Sequence, residues 1–120
     1  MPCGGERRFR ASMRLKRQND FRRAFREGAT WKGELFSLHV RPRPEGVRVG
    51  IVLGRRFGNA VERNRVKRLI REAFRCGAPD LPRADIVVRP DKACREAGVE
   101  DIMELLIRGT NEAMRREESR

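Results

Sequence analysis

The segment NAVERNRVKRLIREAFR, Asn59 to Arg75, constrains the fold more than any other stretch of the chain. At 100° per residue, Val66, Leu69, Ile70, Ala73 and Phe74 fall in one sector while Asn64, Arg68, Arg71 and Arg75 gather on the opposite side. The spacing predicts a helix with Asn59 as its N-cap. One face must bury against another layer, and the other carries too much charge to leave water. A helix of this length draws most of its stability from packing, so the chain has to supply an apolar surface to receive it.

Alternating segments supply that surface. LFSLHV sets Phe36, Leu38 and Val40 on one side and Leu35, Ser37 and His39 on the other. After the turn RPRPEG, VRVGIVL sets Val47, Val49, Ile51 and Leu53 against Arg48, Gly50 and Val52. The short connection predicts that these two strands form a hairpin. ADIVVRP, rich in β-branched residues and bounded by Pro90, predicts a buried strand, and Trp31 with its neighbours a short extra one. Near the N-terminus, Asn19 or Asp20 can cap a short helix through Phe21, Ala24 and Phe25 that stops at Gly28. From about Val99 to Met114, Ile102, Leu105 and Leu106 recur at helical spacing and predict a closing helix. The order is helix, strands, helix, strand, helix. At 120 residues this makes one domain. Its divisions are a basic arm over residues 1–13, a folded domain over 14–114 and a polar tail over 115–120.

The formal net charge of +12 and the pI near 11.3 attract polyanions whatever the fold, and nucleic acid is the leading class of partner. Of the 29 basic residues only Lys16, Lys32, Lys67 and Lys92 are lysine; Arg binds phosphate bidentately and stacks on bases more readily. Between Arg55 and Arg75, eight basic residues (Arg55, Arg56, Arg63, Arg65, Lys67, Arg68, Arg71 and Arg75) face two acids, Glu62 and Glu72. A solvated face with an i,i+4 pair such as Glu72 with Arg68 accounts for part of this density, not all of it. Phe21 and Phe25, four apart, share a surface, either as a core pair or as a platform for stacking. His39 projects beside Ser37, either toward a nucleotide or into solvent without a partner.

Other classes find little support. No stretch approaches the roughly 18 apolar residues of a membrane span, and MPCGGERRFRAS lacks the apolar block of a secretory signal; a cytoplasmic protein is expected. Cys3, Cys76 and Cys94 include no CxxC pair and lie far in sequence from His39, the sole histidine. That spacing favours thiols in a reducing compartment over a zinc site or a disulfide framework. No nucleophile–histidine dyad, Walker loop or Rossmann glycine loop is present, and no metal-ligand set or catalytic residue is assigned.

The block GNAVERNRVKRLIREAFR, preceded by RVGIVLGRRF and by RLKRQNDFRRAFREG, resembles the bacterial protein subunit of ribonuclease P over roughly Arg14 to Met114. The resemblance implies an α/β (α+β) single domain, a two-layer sandwich of order αβββαβα with a left-handed βαβ crossover, similar to a ribosomal-protein-like fold. It implies a holoenzyme whose catalytic centre lies in a large RNA that cleaves precursor tRNA, with Mg²⁺ held mainly by that RNA and the substrate and with no small-molecule cofactor. By position, Arg63, Asn64, Arg65, Lys67, Arg68 and Arg71 look like contacts to the catalytic RNA. Phe21, Phe25, Phe36, His39, Arg48, Arg55, Arg56 and Phe57 look like the cleft for the 5′ leader of precursor tRNA, His39 standing where the family often has an aromatic. The alternative is a ribosomal or other structural RNA-binding protein with no enzyme context. A DNA-binding domain using the basic helix fits less well, because no helix-turn-helix pairing precedes it.

Overall fold

The computed structural model describes residues 11–118. Three helices and four strands follow the expected order: α1 (Gln18–Glu27), β1 (Ala29–Lys32), β2 (Phe36–Pro42), β3 (Arg48–Ile51), α2 (Ala60–Gly77), β4 (Ala84–Pro90) and α3 (Val99–Glu118). The helix-prone polar residues after Met114 contain no stop signal, so α3 runs on through Glu118. At the other end, Ala11–Met13 form a short 3-10 turn, and Met13 packs on the core. The remainder of the expected arm, residues 1–10, lies outside the described residues.

The four strands form one sheet in the order β1-β2-β4-β3. β2 and β3 are therefore not a hairpin, as their short connection predicts. β4 lies between them, antiparallel to β2 and parallel to β3, with α2 as the crossover. Ala84, Asp85, Ile86, Val87 and Val88 are buried in succession. A strand buried on both faces belongs at the centre of a sheet with a neighbour on each side. The Leu15 N–H donates to the Val49 carbonyl at 2.9 Å, so the chain leading into α1 covers part of the β3 edge.

Alternation assigns the two faces. Trp31, Phe36, Leu38, Val40, Val49, Ile86 and Val88 pack with Val66, Ile70, Phe74, Ile102 and Leu106 of α2 and α3 in the main core. On the other face, α1 lies on a smaller cluster of Leu15, Ala24, Val87 and Phe21. Two glycines are required there by close approach. A Cβ on Gly50 would come within 2.5 Å of the Phe21 ring, and one on Gly28 within 2.5 Å of the Ala24 carbonyl oxygen. Gly28 ends α1 in extended backbone, and α1 begins after Arg17 with no side-chain cap, so Asn19 and Asp20 sit inside its first turn. The cap of α2 is as expected: the Glu62 N–H donates to the Asn59 side chain at 2.9 Å and the Asn59 N–H to Glu62 at 3.0 Å, a reciprocal pair worth about 1 kcal/mol.

Candidate nucleic-acid interface

The polar side of α2 is a row of cations from which the acids have been withdrawn. Glu62 is taken up by its capping role and by Arg95 at 2.8 Å, and Glu72 by Arg75, three residues on, rather than by Arg68. Among the described residues, Lys67, Arg68 and Arg71 have no acidic partner. The Arg63 guanidinium donates to the Gly58 carbonyl at 2.8 Å, which pins it over the first turn. Asn64, Arg65 and Arg68 are exposed, and Arg63, Lys67 and Arg71 are half-buried. Partial burial, and then the positive charge of Arg14, lower the pKa of Arg71. A polyanion is the partner that offsets such crowding.

This helix also reaches the other layer. Lys67 and Arg71 line a recess of about 110 Å³ together with Arg14, Leu15, Phe21, Val49, Gly50 and Ile51. The basic helix and the face of the sheet that carries α1 thus share one edge, β3. Cations of α2 therefore stand on one side of that edge and the Phe21 ring on the other.

The α1 face of the sheet separates the aromatic residues that the sequence treats alike. Phe25 is 40% exposed, and its ring meets that of His39 edge-on at 4.7 Å between centroids. The Arg89 guanidinium stands 6.0 Å from the same ring. Phe21 is half-buried on Gly50. Phe36 and Phe57 require correction: Phe36 is 0% and Phe57 6% exposed, both in the core on the α2 and α3 side, and neither presents a ring to a ligand. The alternation of β2 that puts His39 on one face puts Phe36 on the other. Arg55 and Arg56 remain exposed on a 3-10 turn.

Arg48 is likewise not a free cation. It is the cross-strand partner of Asp85, to which its Nε and Nη2 donate at 2.7 and 2.8 Å, and this hydrogen bonding raises its pKa. Because β4 intervenes, Arg48 and Gly50 do not lie beside Ser37 and His39; Val87 and Arg89 stand between. Arg89 is exposed and was not a candidate. Its signal was the outward position in VVRP once β4 is central.

Burial, and secondarily the charge of Arg89, hold the His39 imidazole below its ordinary pKa of 6.5. The unfolded chain takes up this proton near 6.5 and the folded chain only at lower pH. The stability due to neutral His39 is therefore fully present above 6.5 and is lost as the pH falls toward the folded value. As the sole histidine, it gives one set of ring resonances. Their NMR titration should have its midpoint below 6.5 and move up in Arg89→Ala; a wild-type midpoint at or above 6.5 contradicts the packing described.

No group of three or more His, Cys, Asp or Glu side chains is placed to hold a metal ion among the described residues. Cys94 is a free, buried thiol whose pKa burial pushes up to about 11. No helix among the described residues is long and apolar enough to cross a membrane.

The family model described as Ribonuclease P matches residues 9–114. The ribonuclease P protein component of Dictyoglomus thermophilum is 35% identical over 105 residues, covering 83% of this chain and 87% of that one. Among solved structures, the RNase P protein of Thermotoga maritima superimposes with a TM-score of 0.71 at 34% identity, over 81% of this chain and 94% of that one. A Staphylococcus aureus RNase P protein mutant with defective mRNA degradation activity gives a TM-score of 0.75 at 28% identity, over 86% of this chain and 89% of that one. With the αβββαβα order, the central β4 and the cationic α2 already in place, these likenesses establish that the chain belongs to the ribonuclease P protein family, the protein component of the holoenzyme that processes tRNA.

Proposed function

We propose that α2 binds the catalytic RNA of ribonuclease P while the α1 face of the sheet receives the 5′ leader of precursor tRNA. The observation that carries this reading is the separation of chemistry between two surfaces that meet at β3. On α2, Arg63, Asn64, Arg65, Lys67, Arg68 and Arg71 offer donors and charge with no aromatic ring among them, which suits the phosphates of a folded RNA. On the α1 face, Phe21, Phe25 and His39 offer rings flanked by Arg89, and Arg55 and Arg56, exposed on the turn after β3, are assigned to the leader with them. A leader is single-stranded and varies in sequence, so stacking plus backbone charge serves it better than base-edge hydrogen bonds.

The cleavage chemistry belongs to the RNA, and Mg²⁺ is held by RNA and substrate. Among the described residues the donor set does not fit a metal centre: the one buried carboxylate there, Asp85, is 1% exposed and engaged by Arg48. The chain acts instead by charge. Two RNAs brought together repel, and cations from α2 and the α1 face replace part of the counterions that would otherwise have to be recruited. Less Mg²⁺ is then needed for the same occupancy. A cytoplasmic setting follows from the same role.

The test is cleavage of precursor tRNA by the catalytic RNA at low Mg²⁺, with and without this protein. A clear gain is expected with a leader-bearing substrate and a smaller one with a leader of one or two nucleotides. Equal rates with and without the protein defeat the reading.

A further inference from the structure

Helix α1 carries the proposed leader contacts, yet it is thinly anchored by apolar packing. Ala24 is its one buried residue, and the cluster beneath it holds only Leu15, Ala24, Val87 and part of Phe21. Beyond the contacts of the Phe25 ring with His39 and Arg89, its remaining ties are ionic and sit at its two ends. At the C-terminal end the Arg41 Nε donates to Glu27 at 2.8 Å. At the N-terminal end the Arg48 Nη1 lies 3.6 Å from Asp20, one residue before Phe21.

The N-terminal tie is built from inside the sheet. Asp85 is buried in the central strand, and its two oxygens accept from Nε and Nη2 of Arg48. Arg43 adds a second cation 3.8 Å from the same carboxylate. A bidentate pair fixes the plane of the guanidinium, so the remaining nitrogen, Nη1, has one direction to point. That direction is Asp20. A carboxylate kept out of water by an excellent geometric match costs stability if either partner is removed, and it holds conformation closely while both remain.

We infer that Asp85 is a positioning residue for leader binding: through Arg48 it sets the seat of α1 on the sheet, and with it the placement of Phe21 and Phe25. This rests on the proposed leader reading. It also reassigns Arg48 from a leader contact to the middle of a relay from β4 to α1. Neither Asp85 nor Asp20 touches the leader in this scheme, and neither is among the α2 residues assigned to the catalytic RNA.

The experiment compares reconstituted holoenzymes carrying wild-type protein, Asp20→Asn and Asp85→Asn. Substrates are precursor tRNA with a leader of about ten nucleotides and the same tRNA with a single leader nucleotide. Wild type must first show leader-dependent affinity; if it does not, the leader reading itself fails, independently of this inference. Given that dependence, Asp85→Asn should raise KM for the long-leader substrate about tenfold with kcat at saturation unchanged. The single-nucleotide substrate and affinity for the catalytic RNA should not change. Asp20→Asn, at a half-buried position that leaves the Asp85–Arg48 pair intact, should give a smaller rise in the same parameter and a thermal midpoint close to wild type. Three outcomes overturn the inference. Leader affinity unchanged in both variants shows that α1 is seated without the relay. Higher leader affinity in Asp85→Asn shows that Arg48, once released, is itself a contact. Equal losses for both substrates and for the catalytic RNA show a general structural role.

Discussion

Phe36→Ala is expected to destabilise the folded chain by about 3–5 kcal/mol, the largest effect of any single aromatic truncation on the β2 strand and α1 helix. Phe36 is fully buried and packs against the Trp31 ring at 6.1 Å between centroids. Truncation removes its contacts with the core and leaves a cavity that the sheet and α3 cannot close. Urea unfolding of the free protein measures the change. Phe25→Ala makes the contrast: its ring is partly in solvent and touches His39, so stability should change by roughly 1 kcal/mol or less. The same variant should lose leader affinity by about 1–3 kcal/mol, the worth of a stacked base. If Phe36→Ala unfolds at the wild-type midpoint while selectively weakening leader binding, the assignment of Phe36 to the core is wrong.

Replacing Arg65 and Arg68 together with Ala should weaken assembly with the catalytic RNA and flatten its salt dependence. Each phosphate contact contributes roughly 0.7–0.9 to the slope of log K against log salt, so two lost contacts reduce that slope by about 1.4–1.8. Both residues are exposed on α2 and away from its buried face, so the fold should not suffer. Titrating labelled catalytic RNA with protein at several salt concentrations reads the slope directly. An unchanged slope, with only leader affinity reduced, would move these residues from the RNA-subunit surface to the leader surface.

The elements legible in the sequence were those whose physics is local. The capping pair of Asn59 and Glu62 and the apolar spacing of Val66, Ile70 and Phe74 specify α2 within a few turns of chain. The alternation of Phe36, Leu38 and Val40 specifies the faces of β2. Pairing was not legible in the same way. Two strands joined by a short turn read as a hairpin, and the partner that displaces that pairing, β4, is more than thirty residues away in the chain. Its unbroken apolar run predicts a buried strand, but that it is central, and which strands flank it, depends on contacts distant in sequence.

The candidate site divides along the same line. Charge density on α2 is a property of composition and spacing, so an affinity for nucleic acid was visible before any fold. The roles of individual aromatics and arginines were not. Phe25 and Phe36 are the same residue type, but the seat of α1 on the sheet leaves one partly exposed beside His39, and the alternation of β2 seals the other against Trp31. Arg48 and Arg89 are both outward by alternation, and only the placement of β4 gives Arg48 a buried carboxylate and leaves Arg89 beside a ring.

What the sequence by itself determined was a basic amphipathic helix on an alternating sheet, with a surface for polyanions, because periodicity and charge act through neighbours along the chain. What only the tertiary structure decided was which side chains are available to a ligand. Availability depends on burial and pairing across strands, and those are settled when β4 inserts between β2 and β3 and Asp85 takes hold of Arg48.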